Sequence, residues 1–167
     1  MSSRAKIVEL LNKAGLEEDS FYLFRSSITW GSKTFAGNCF AASGIFLLLY
    51  ATEMDEESRL VLCHGIPTNT DTGERYGHAW VEVQKKNLAD WWMTVAVLDP
   101  SFGDGPHPFE VPAGLYYRKG KIDQEEVVTY DLDQSIKLLE NKDHWGPWDE
   151  SFDDSSIVWT EFSGKWS

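Results

Sequence analysis

From Asn38 to Ala51 the chain reads Asn-Cys-Phe-Ala-Ala-Ser-Gly-Ile-Phe-Leu-Leu-Leu-Tyr-Ala, without a single charged residue. Asn38 is a good N-cap, so the segment is expected to be a helix running to about Ala51. A helix that is apolar on every side has no face to offer water and belongs in the centre of a fold, with other elements packed around it. Its apolar part, Gly44 to Tyr50, is far too short to span a bilayer. Whatever else this chain does, it has to wrap this helix.

The wrapping reads mostly as strands. Ile7, Leu10, Leu11 and Leu16 fall at helical spacing, so residues 3–14 are expected to form an amphipathic helix closed by Gly15. Residues 21–35 are aromatic, rich in Ser and Thr and irregular, and read as a loop leading into the apolar helix. Arg59 to Gly65 is β-like, Pro67 to Gly73 holds turn residues, and Tyr76 to Val83 alternates weakly. Trp91 to Leu98 is a further strand, stopped by Asp99-Pro100. Gly103 to Gly114, with several Gly and Pro residues, reads as a long loop. Leu115 to Ile122 and Glu126 to Tyr130 are expected as two more strands. Asp131 to Asn141 reads as a short helix with Asp131 or Asp133 as cap. From Asp143 onward the sequence is acidic and tryptophan-rich without periodicity. No repeat or linker divides the 167 residues. The expectation is one α+β domain, its central helix packed on an antiparallel sheet.

Charge narrows the partners. The net charge is -12, and the segment from Asp123 to Glu161 carries twelve acids against Lys137 and Lys142. Direct nucleic-acid binding and attachment to an anionic membrane both need clustered Lys and Arg, so neither is expected. The acidic segment serves as a solubilising face or steers a basic protein partner. Residues 2–16 carry charges throughout and lack the apolar core of a secretory signal. A cytoplasmic location is expected, with Cys39 and Cys63 as reduced thiols, since two cysteines make no disulfide framework.

Cys39, His78 and Asp99 carry the chemistry. Cys39 opens the apolar helix, where unpaired N–H groups and the helix dipole favour a thiolate and could supply half of an oxyanion hole. His78 begins a strand and can take the thiol proton; Asp99 ends the next strand and can fix the imidazole tautomer. Sequential strands are often neighbours, which makes a His78–Asp99 hydrogen bond feasible. Each residue alone has a plainer reading: a small buried hydrophobe, a structural histidine, a strand-end turn. The same three residues could ligate zinc, but no fourth ligand stands at a recognisable spacing. No metal and no cofactor is expected. Cys63 and His64 adjoin on a strand and point to opposite faces. His107, in the Gly- and Pro-rich loop, is a candidate for the border of the site. His144 to Trp148 reads as an aromatic cluster packed over the core.

The segments Gly37-Asn38-Cys39, His78-Ala79-Trp80-Val81-Glu82-Val83 and Leu98-Asp99-Pro100-Ser101 resemble the three signature motifs of transglutaminase-like cysteine enzymes, a branch of the papain-like fold. The resemblance spans residues 37–101. It implies a nucleophile Cys39, a base His78 and an orienting Asp99, acting on an amide carbonyl through a thioester. Protein or peptide substrates follow from it. Trp30, Asn38 and Trp80 are candidates for a second oxyanion donor or a pocket wall. The family often carries Trp beside its cysteine; here the neighbour is Phe40. Gly-Asn-Cys-Phe and Asp99-Pro-Ser-Phe102-Gly103 also resemble arylamine N-acetyltransferases, whose chains are longer and carry an Arg-Gly lead absent here. Protease, deamidase and transglutaminase therefore stand together as expected activities. The alternatives are a catalytically silent acidic protein on the same fold, binding a basic partner, and a small arylamine N-acetyltransferase-like acyltransferase.

Overall fold

A computed structural model of the chain describes residues 3–13, 29–30, 33–34, 39–100 and 109–159. The uncharged segment is helical over Cys39–Tyr50 (α2), and every residue from Cys39 to Leu48 is buried. It packs on one face of a five-stranded sheet built from β3 (Ser58–Gly65), β5 (His78–Lys86), β6 (Trp92–Asp99), β7 (Phe109–Pro112) and β8 (Val128–Tyr130). The spatial order is β7-β6-β5-β3-β8, and all neighbours are antiparallel. The fold is thus α+β.

The two sheet faces follow from strand alternation. Leu60 and Leu62 of β3 and Val81 of β5 join the core beneath α2, together with Ile45, Leu47, Leu48, Ile136 and Leu139. The intervening Val61, Cys63, Trp80 and Val97 form a second cluster on the opposite face with Ile122. Cys63 and His64 do point to opposite faces: Cys63 lies in that second cluster, whereas His64 packs against Phe40 of α2, ring centroids 4.8 Å apart.

Helix α1 (Ser3–Lys13) sends Ile7 into the core under α2, and Lys6 reaches Glu140 at 3.5 Å. Gly15, its expected stop, lies outside the described residues. Helix α4 (Leu132–Lys142) starts at a full capping box: the Asp131 side chain accepts from the Gln134 backbone, and the Gln134 side chain accepts from the Asp131 N–H. Of the expected loop at 21–35, the described part is a short antiparallel pair, β1 (Thr29–Trp30) with β2 (Lys33–Thr34).

Three local expectations are corrected. Leu115 to Ile122 is no strand: Ala113–Lys119 forms a helix, α3, preceded by Pro112 and ending on Arg118 and Lys119. A strand would point Tyr116 and Tyr117 to opposite faces. The helix instead brings both rings to Trp80, at centroid distances of 5.4 and 5.9 Å. Phe109 to Pro112, within the expected loop, is the edge strand β7, paired to β6 with Asp99 opposite Phe109; proline is tolerated at a sheet edge. The expected strand Tyr76 to Val83 is split at Gly77. Arg75–Tyr76 (β4) pairs in parallel with Ile157–Val158 (β9), and β5 runs on from His78. A side chain at Gly77 would meet the Trp159 ring at 2.4 Å.

The acidic, tryptophan-rich segment closes the fold. Trp145 lies over Gly44 of α2, where a Cβ would stand 2.7 Å from its ring. Phe152 and Ile157 are buried with Cys39, Phe40, Ile66 and Ala79. Trp145, Trp148 and Trp159 pack against the core clusters, which agrees with an aromatic cluster over the core at His144 to Trp148. Among the described residues, no helix is long and apolar enough to cross a membrane.

Candidate active site

Three elements end at one corner of the fold. Cys39 is the first residue of α2, His78 the first of β5 and Asp99 the last of β6. Val81 pairs with Leu98, so Asp99 falls one step further along β6, on the face that carries Trp80 and diagonal to His78. His78 Nε2 lies 2.7 Å from Asp99 Oδ2. The Cys39 thiol acts on the same imidazole by charge and by hydrogen bonding. With Nε2 committed to Asp99, Nδ1 is the ring nitrogen left for the thiol. His78 thus stands between the other two.

The site is buried. Cys39 and Asp99 have 0% relative exposure and His78 2%. Burial alone would lower the His78 pKa, but the Asp99 carboxylate, aided by Cys39, outweighs it and holds the imidazole well above its ordinary range. The protonated ring is the form these neighbours favour.

Two tyrosines border the triad, and sequence reasoning missed both. Tyr116 Oη donates to Asp99 Oδ2 at 2.6 Å, the same oxygen that meets His78. Burial, then Asp99, pushes the Tyr116 pKa well above its usual value, so its hydroxyl is a neutral donor. The Tyr76 ring stands 5.8 Å from His78 by centroids, and its hydroxyl feels the charges of His78, Asp99 and Cys39. The signal for Tyr116 was present. Pro112 ahead and Arg118-Lys119 behind mark a helix, and a helix here must face the sheet.

Trp80 and Glu82 sit below the triad on the same strand face. The Trp80 ring is fully buried and stacks at 28° to His78, centroids 6.0 Å apart. Its indole N–H donates to Glu82 Oε2 at 2.9 Å, so that donor is committed away from the thiol. Glu82 also accepts from Cys63 at 3.0 Å, from Thr94 at 2.8 Å and from the Tyr117 hydroxyl. Four donors hold one buried carboxylate, which fixes the floor under His78. Burial and then Glu82 raise the Cys63 pKa well above its usual value, which makes this thiol a poor nucleophile.

The other oxyanion candidates are not placed: Asn38 lies outside the described residues, as does the side chain of Trp30, whose backbone belongs to β1. Ser101, Phe102, Gly103 and His107 lie outside them too. A cavity of about 300 Å³ opens beside the triad, and Tyr76 and Tyr116 form part of its lining. Compared with protein-family models, curated proteins and solved structures, the chain finds no significant match.

Proposed function

We propose that this chain is a cysteine-dependent acyl-transfer or amide-hydrolysing enzyme of papain-like, transglutaminase-like fold, using Cys39, His78 and Asp99 on protein or peptide amides. The observation that carries the reading is one imidazole bonded to a carboxylate on one side and engaged by a helix-terminal thiol on the other. In the first half-reaction the proton of the Cys39–His78 pair is held on the imidazole and the sulfur attacks the amide carbonyl carbon. A C–S bond forms, the tetrahedral oxyanion collapses, the C–N bond breaks, and the leaving amine takes the proton from His78. The product is a thioester on Cys39. Water or a second amine then attacks the thioester carbonyl and passes a proton to His78; the C–S bond breaks, the acid or new amide leaves, and the sulfur takes the proton back from His78. Asp99 stabilises the imidazolium throughout, and Tyr116 steadies Asp99.

Iodoacetamide labelling, with Cys39 and Cys63 read separately by mass spectrometry, tests this. Both thiols are fully buried, so each rate is the product of opening and intrinsic reactivity. Cys39 is expected to react at least tenfold faster than Cys63, and His78→Ala to abolish the difference without unfolding the chain. Equal rates in the parent, or a difference that survives His78→Ala, sink the proposal.

A further inference from the structure

The cavity beside the triad has a chemistry of its own. Val111, Leu115 and Ile122 give it apolar walls, Tyr76 and Tyr116 close the side nearest the triad, and Lys119 stands exposed at its edge. None of its described lining residues is acidic, although the chain carries a net charge of -12. Lys119 makes no ion pair among the described residues, and neither do its neighbours Arg118 and Lys121. A local excess of cation at an apolar pocket, in a chain this acidic, is charge placed against the prevailing field.

The pocket is also preformed. The turn at Pro67 to Asn69 is tied to the end of α3 by Thr68 N–H donating to the Gly120 carbonyl at 2.8 Å. Asn69 is pinned by its backbone to Glu74 and by its side chain, which accepts from the Asp71 and Thr72 N–H groups. Cavities of this size, apolar with a few fixed polar groups, are ordinary small-ligand sites.

We infer that this pocket holds an apolar or aryl group ending in a carboxylate, with the anion on Lys119, and so sets the substrate class of the neighbouring triad. The specificity claim rests on the enzyme reading above; the binding claim does not. Tyr116 joins the two, since it lines the pocket and donates to Asp99.

The test uses two probes that contain no amide or ester, 4-isopropylbenzoate and 4-isopropylbenzyl alcohol, titrated into the full chain by ligand-observed NMR. The benzoate is expected to bind two- to fivefold more tightly, the range for one partly exposed ion pair. Lys119→Gln is expected to remove that preference while leaving the alcohol's affinity unchanged. Leu115→Trp, which fills the cavity, is expected to weaken both probes at least tenfold. No binding by either probe, equal affinities in the parent, or a preference that survives Lys119→Gln overturns the inference. If the pocket behaves as expected while Cys39 labels no faster than Cys63, the pocket stands and the enzyme reading falls.

Discussion

His64 offers a sharp test of how this core handles charge. It is fully buried against Phe40, Tyr130 and Trp148, with ring centroids 4.8, 5.1 and 5.0 Å away, and neither ring nitrogen has a hydrogen-bond partner among the described residues. Burial, then the charges of His144 and His78, lowers its pKa from 6.5 to about 3. The folded state therefore resists a proton that the unfolded chain accepts. Stability is lost as pH falls through 6.5 towards 3. Linkage gives a loss of about 2 kcal/mol between pH 7 and pH 5, approaching about 5 kcal/mol below pH 3. His78 runs the other way: its raised pKa contributes stability that is complete below about 6.5 and is lost as pH rises through the folded value. Comparing the parent with His64→Leu isolates His64, because His78 titrates in both. Urea unfolding at pH 7 and pH 5 is the assay. With a slope of about 2 kcal/mol per molar urea, the parent-minus-variant midpoint is expected to shift by about 1 M between the two pH values. A difference that does not change with pH would show that His64 is solvated or paired, and the reasoning would fail.

Other perturbations have defined outcomes. Asp99→Asn is expected to keep the fold yet slow Cys39 alkylation tenfold or more, because the amide can hold the wrong imidazole tautomer; circular dichroism and labelling rates check the two halves. Gly146→Ala is expected to cost about 3 kcal/mol in urea unfolding, since φ there is +120° and a Cβ would lie 2.6 Å from His64 Cε1. Asp131→Ala, which removes the cap of α4, is expected to cost about 1 kcal/mol by the same assay. Neutralising Asp149, Glu150, Asp153 and Asp154 to Asn or Gln is expected to leave Cys39 labelling unchanged. If the segment steers a basic partner, stopped-flow association with that partner slows in the variant at low salt; identical on-rates leave it a solubilising face.

Much of the frame was legible in the sequence because one pattern dictated it. An uncharged twelve-residue helix must be buried, and strands with alternating faces must cover it. The His78–Asp99 contact was legible too, since both residues fall at the ends of neighbouring strands. What escaped were contacts that depend on an element type or a strand pairing with no clear periodicity behind it. Tyr116 reaches Asp99 only because α3 is a helix; Leu-Tyr-Tyr by itself suits helix and strand equally, and only the flanking Pro112 and Arg118-Lys119 signal the helix. The β4–β9 pairing joins two-residue strands 82 positions apart, too short for any periodicity to show. The acids from 123 onward read as a charge run. Yet Asp123, Asp131, Asp149 and Asp154 each accept a backbone N–H from two or three residues ahead, so part of that charge is turn and cap chemistry.

The burial that makes α2 legible also shapes the site. Placing the helix N-terminus inside the fold carries Cys39 in with it, and β5 and β6 bring His78 and Asp99 to the same dry corner. A lone charge there would be costly, whereas an Asp99 carboxylate against a His78 imidazolium is neutral as a pair. Tyr116 adds a donor to that carboxylate without adding charge. Glu82, four residues along β5 from His78, is held by Trp80, Cys63, Thr94 and Tyr117, so the strand beneath the imidazole is fixed by a network separate from the triad. The consequence is a division of labour along one strand face. Loss of Glu82 contacts is expected to destabilise the sheet before it alters the His78–Asp99 bond, and loss of Asp99 to alter the imidazole before it alters the sheet.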